Sequence, residues 1–159
     1  MGKRIEIRLI AALLAVVAWT GTALAACQPG KIELSGEFGS VHFDVAVADD
    51  SAERARGLMF VEDMPESAGM LFIYGVSRPV SFWMKNTYIP LDMIFIDARG
   101  VVKKVHANAV PHDTTGISSD VPVRSVLEIN GGLAQKIGIV PGTRVRHPDL
   151  PQRNAAWPC

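Results

Sequence analysis

From Val41 to Ala48 the chain alternates residue by residue, with Val41, Phe43, Val45 and Val47 set against His42, Asp44, Ala46 and Ala48. Such a two-residue period puts every second side chain on one side, which only an extended strand with one buried face satisfies. Similar short runs recur along the chain, separated by turn residues. That pattern commits the sequence to a mostly β architecture.

The pass along the chain gives an order of elements. Asp50 followed by Glu53 has the form of a capping box, so a short helix starts there, carries Arg54 and Arg56 toward water and ends near Gly57. Met70 to Tyr74 is an apolar run of strand length. Val80 to Lys85 and Leu91 to Asp97 are strand-like runs joined by Asn86 to Pro90, a length that suits a hairpin. In that hairpin Met84 would pair with Met93, Phe82 with Phe95, Trp83 with Ile94 and Lys85 with Asp92. Val101 to His106, Ser125 to Ile129 and a segment ending at Val145 complete the strands, and Gly131 to Ile137 reads as a second short helix. The expected fold is mostly β with two short helices (β or α+β). A small antiparallel barrel or compact sandwich of about seven strands leaves the fewest exposed edges.

Residues 1–25 have the three parts of an export signal: basic Lys3, Arg4 and Arg8, an apolar stretch from Leu9 to Trp19, and Ala23 and Ala25 before a cut that leaves Ala26 first. The apolar stretch is about half of the roughly 20 residues a bilayer crossing needs, and no later stretch is apolar enough to span. Residues 26–147 then form a single β-rich domain and residues 148–159 a C-terminal tail. The expected location is across the inner membrane, periplasmic or secreted. Leu24, Ala25, Ala26 and Cys27 also spell a lipobox, which would anchor the protein in the envelope through a lipid on Cys27. The second cysteine is Cys159, the last residue, and an even count in an oxidising compartment favours a Cys27–Cys159 disulfide. The two outcomes exclude each other, because one sulfur cannot carry both bonds.

Removing the signal takes three of the 16 basic and one of the 16 acidic side chains, leaving 13 against 15 and a net charge of −2. A near-neutral chain without a basic stripe does not suit a phosphate backbone, so no nucleic acid is expected as a partner.

The segment FWMKNTYIPLD gathers Trp83, Lys85, Asn86, Thr87 and Asp92, polar groups beside an aromatic surface that could hold a small polar ligand. The plain alternative is architectural: Lys85 and Asp92 as a cross-strand ion pair, Asn86 satisfying turn backbone. Asp92 and Glu128 could serve as paired carboxyls for acid and base chemistry, with Arg54, Lys85 or Arg124 placing an anion. A buried Glu128 held by Arg124 reads the same in sequence. His42, His106, His112 and His147 with Asp113 have no metal-motif spacing, so no metal or other cofactor is expected. The loop from Ala107 to Pro122 is long enough to carry function.

Glu53, Arg54, Gly57, Leu58 and Met59, then Gly69 to Phe72, then the FWMKNTYIPLD block, Leu127 and Glu128, and the ending Gly138, Ile139, Pro141, Gly142 together resemble the domain-of-unknown-function 192 (DUF192, UPF0127) family. The resemblance runs from about Phe43 to Val145. It implies a small β-rich fold, often behind an export or lipoprotein signal, and no agreed activity. The first expectation is therefore a non-catalytic envelope module that binds a small polar ligand or an envelope protein through Trp83, Lys85, Asn86, Thr87, Asp92, Arg54 and Glu128. A hydrolase or isomerase using Asp92 or Glu128, and a purely structural envelope protein, are the alternatives.

Overall fold

The computed structural model describes residues 27–159, and the expected export signal lies outside the described residues. Nine strands and two short helices follow one another as β1 (Lys31–Gly36), β2 (Gly39–Ala48), α1 (Ser51–Arg56), β3 (Ala68–Arg78), β4 (Ser81–Phe82), β5 (Leu91–Ile96), β6 (Val102–Ala109), β7 (Ile117–Ser118), β8 (Val123–Asn130), α2 (Leu133–Ile137) and β9 (Arg144–Arg146). Seven strands make one sheet in the order β6-β5-β8-β3-β2-β1-β9, and β4 with β7 makes a small second sheet.

The large sheet curls until its edges meet at one end. Val101 bridges to Arg144, the Val102 N–H donates to the Thr143 carbonyl at 2.9 Å, and the Val145 N–H donates to the Gly100 carbonyl at 2.7 Å. The result is a half-barrel joined at one end, which leaves little unpaired edge there. The concave side holds Ile32, Leu34, Phe43, Leu71, Ile94 and Leu127 among others, all close to fully buried. A second cluster, including Phe72, Met84, Met93, Phe95 and Val126, packs on the convex side. Every residue of β5 is buried. Such a strand requires a layer packed on each face, and its two edges are taken by β6 and β8.

That arrangement overturns the expected hairpin. Met84 does not pair with Met93; β5 pairs with β6 and β8, and the Val80–Lys85 run contributes only β4, whose partner is β7. The alternation of Val80, Phe82 and Met84 records packing onto the convex face of the sheet, not edge-to-edge pairing. Phe82 does meet Phe95, edge to face with ring centroids 6.1 Å apart, so the contact expected between them exists through stacking of layers. Trp83 is half-exposed, whereas Ile94 is buried in the concave core. A second correction concerns sense: β2 and β3 run parallel, with α1 in the connection, in an otherwise antiparallel sheet.

α1 begins as expected. The Asp50 carboxylate accepts from the Glu53 N–H at 2.8 Å, and the Glu53 carboxylate accepts in return from the Asp50 N–H. The helix ends at Gly57, whose φ of 49° lies in the left-handed region and whose added Cβ would stand 3.1 Å from the Phe72 ring. β1 is an additional strand beyond those expected, and its Ile32 and Leu34 alternate with Lys31 and Glu33.

Candidate functional site

On the convex face, the register of β3, β8 and β5 sets Met70, Glu128 and Met93 side by side, with Phe72, Val126 and Phe95 in the next row. Glu128 is thus a carboxyl inserted among thioethers and aromatic rings. It is 4% exposed and makes no hydrogen bond or ion pair among the described residues. Gly69 lets the strands come this close, since a Cβ there would stand 2.6 Å from the Glu128 carbonyl oxygen. Burial without a compensating charge pushes the Glu128 pKa up to about 8, which favours the neutral acid at pH 7.

Above Glu128 opens a narrow cleft of about 40 Å³. Its wall on one side is α1 and the turn after it, with Arg54, Arg56 and Met59; on the other it is Phe82 of β4 with Trp83 and Thr87 from the segment between β4 and β5. Four of the residues singled out in the sequence therefore converge: Arg54, Trp83, Thr87 and Glu128. Lys85 and Asn86 belong to the same segment but do not line the cleft. The Lys85 ammonium lies 5.2 Å from the centre of the Trp83 ring, and the Asn86 carbonyl accepts from the Phe60 N–H at 2.8 Å. Phe60 and Asn86 both hold left-handed backbone, with φ of 66° and 55°. This contact ties the two walls together.

Arg54 does not face water as its helix position suggested. One guanidinium nitrogen donates to the carbonyls of Asp49 and Ile73, and the group sits 5.4 Å from the centre of the Tyr74 ring. Arg78 approaches the same ring at 5.3 Å. Burial carries the Tyr74 hydroxyl up to about 12 against the opposing pull of the two arginines. Arg56, by contrast, is exposed and forms no ion pair among the described residues, so its charge is available at the rim. No periodic signal marks Arg56 or Tyr74 as site residues; the turn at Gly57 and the fold of β3 place them.

Asp92 belongs elsewhere. It is opposite Ile129 and alternates with Met93, so its side chain leaves the concave face while Glu128 leaves the convex one. There it is fully buried and accepts from the N–H groups of Asn108, Gly132 and Ala134 at 2.8, 2.8 and 2.7 Å. The first turn of α2 has no cap from its own segment, and Asp92 supplies it across the fold. Lys85 and Asp92 are not an ion pair, and Asp92 and Glu128 cannot act on one substrate, because the sheet stands between them. Nor does Arg124 hold Glu128: four residues along a strand separate the two by about 13 Å.

The loop from Ala107 to Pro122 braces the cleft segment from outside. The Met84 N–H donates to the Asp113 carbonyl, the His112 N–H to the Met84 carbonyl, and the Val80 N–H to the Ser119 hydroxyl. Among the described residues no three of His, Cys, Asp and Glu cluster as metal ligands. His147 is buried with Nε2 2.7 Å from the Pro29 carbonyl oxygen, far in sequence from His112, which stacks on Tyr88.

A family model, DUF192, described as "Uncharacterized ACR, COG1430", matches residues 32–147, which is most of the chain. The chain belongs to the DUF192 family. Two crystal structures share its fold. One, from Sinorhizobium meliloti 1021 and described as a "putative transcription regulator", is 43% identical, with a TM-score of 0.71 over 73% of this chain and 91% of its own. The other, a protein of unknown function from Novosphingobium aromaticivorans DSM 12444, is 40% identical, with a TM-score of 0.73 over 78% of this chain and 89% of its own. No curated protein matches the sequence. In this DUF192 protein the FWMKNTYIPLD block is thus divided between two duties: Trp83 and Thr87 line a cleft, and Asp92 holds α2.

Proposed function

We propose that this DUF192 protein is an exported, non-catalytic module that binds a small polar ligand in the cleft over Glu128. One observation carries the reading: a carboxyl 4% exposed, without a partner, lies beneath a cleft instead of inside a closed core. The Glu128 oxygens are not among the fully enclosed polar atoms left without a partner, so they open onto the cleft. A ligand that enters the cleft can bond to Glu128 in place of water. Trp83, exposed at the rim, offers an aromatic face to the rest of the molecule.

Export is supported by the basic, apolar and small-residue order of residues 1–25 and by the Cys27–Cys159 disulfide, which belongs to an oxidising compartment. The description of the Sinorhizobium relative as a regulator suggests nucleic acid, but a mature chain of net charge −2 gives a phosphate backbone little to bind.

The test is a thermal-shift screen of purified protein, expressed from the full-length chain, against carboxylates, amines, sugars, nucleotides and divalent metals. A compound that raises the Tm of the wild type, but not of Trp83→Ala or Glu128→Ala, bears the reading out. A panel that leaves the Tm unmoved, or a shift that survives both substitutions, contradicts it.

A further inference from the structure

The contents of the cleft restrict what can enter it; this step rests on the binding reading above and narrows it to one chemical class. Its volume of about 40 Å³ is space for roughly three waters, far below the 300–1,000 Å³ of sites that enclose a drug-sized molecule. A head group of a few heavy atoms fits, and a sugar ring does not. The charged side chains that line it, apart from Glu128, are both arginines. An ammonium group would meet the positive charge of Arg56 at the rim, while an anion would meet favourable charge.

We propose that the cleft receives a carboxylate head group, whose oxygen accepts a hydrogen bond from the Glu128 carboxyl while Arg56 supplies positive charge at the rim. An O–H···O⁻ bond of this kind is short and about twice as strong as a neutral one. The Thr87 hydroxyl, buried on the opposite wall and held only by a long 3.4 Å bond to the Lys85 carbonyl, can turn to donate a second. The remainder of the molecule leaves the cleft across the face of Trp83, which favours a planar or apolar tail. Arg54 contributes its stem; its guanidinium is held by the Asp49 and Ile73 carbonyls.

Binding is then linked to the proton on Glu128. The charged and titratable groups around that carboxyl are Arg54 and Arg56 from α1, which line the cleft, and Tyr74 from β3; Lys85 stands over the Trp83 ring outside the lining. The arginines keep their charge throughout, and Tyr74 stays neutral up to about 12. Glu128 loses its proton near pH 8, and two carboxylates then face one another.

Calorimetric titration of the purified protein at constant ionic strength, with sodium benzoate, sodium butyrate, butylammonium chloride and methyl glucoside at pH 6.5 and 9.5, tests this. Benzoate and butyrate bind at pH 6.5 and at least about tenfold more weakly at pH 9.5. Glu128→Gln keeps an N–H donor that does not titrate, so it binds both carboxylates alike at the two pH values. Arg56→Gln weakens them at both. If butylammonium or methyl glucoside binds instead, and Glu128→Ala abolishes it, the carboxylate assignment is overturned while the cleft stands. Carboxylate binding that Glu128→Ala and Trp83→Ala leave untouched puts the site elsewhere and overturns both. No binding by benzoate or butyrate, or equal binding at the two pH values by the wild type, also overturns the assignment.

Discussion

Glu128 and His147 are buried residues whose protonation favours opposite ends of the pH scale. Burial raises Glu128 from 4.5 to about 8, so the folded protein holds a proton that the unfolded chain has released. The stability linked to that proton is fully present below about pH 4.5 and is lost as pH rises through about 8. Across this window it is on the order of 5 kcal/mol. Burial lowers His147 from 6.5, so the unfolded chain takes up a proton first, and that contribution is lost as pH falls below 6.5. Denaturant unfolding of Glu128→Gln across pH 4 to 9 should therefore match the wild type in acid and exceed it increasingly toward pH 8. Parallel curves would show that the carboxyl is already ionised and compensated in the fold. Sequence alone singled out Glu128 but not its state, because desolvation depends on Met70 and Met93, which arrive beside it from two other strands.

At the scale of elements, the lesson lies in how alternation is read. The period of two at Val41–Val47 marks a true strand, whereas the same period at Val80–Met84 marks a segment laid on a sheet, with only Ser81 and Phe82 paired. One sequence period thus serves two physical causes, and only the partners distinguish them. Asp92 was misassigned for a related reason, although its alternation with Met93 placed it with Ile94 and Ile96 on the concave side. Its role is to hold α2, a helix of five residues too short to persist without help. Asp92→Ala leaves three N–H groups without their acceptor, that of Ala134 buried and those of Asn108 and Gly132 partly so, and should cost ~2–3 kcal/mol in chemical denaturation. A loss under about 0.5 kcal/mol, typical of an exposed substitution, would show that the cap does not hold the element. The capping box at Asp50 and Glu53 was legible because both partners lie within one turn.

Over the whole molecule, the disulfide ties the first described residue to the last. Cys27 and Cys159 are 132 positions apart with Cα atoms 5.5 Å from one another. A loop of that length is valued at ~5 kcal/mol by chain entropy. The tail between them is docked as well, with the Ala156 N–H donating to the Arg99 carbonyl at 2.7 Å and Trp157 stacked 4.3 Å from the Arg146 guanidinium. The bond uses the sulfur that a lipid anchor would need. Export and cleavage as proposed predict an intact mass for a chain starting at Ala26 with two hydrogens missing; a diacylglyceryl increment would contradict it. The claim on which the functional account depends is nearer the centre of the fold. Carbon-detected NMR of glutamate-labelled protein, with the Glu128 carboxyl assigned by its absence in Glu128→Gln, follows that group directly through pH 3 to 10. The account predicts a midpoint near 8. A midpoint in the ordinary carboxylate range near 4.5 would mean that the group is ionised at neutral pH, and that no neutral acid waits in the cleft.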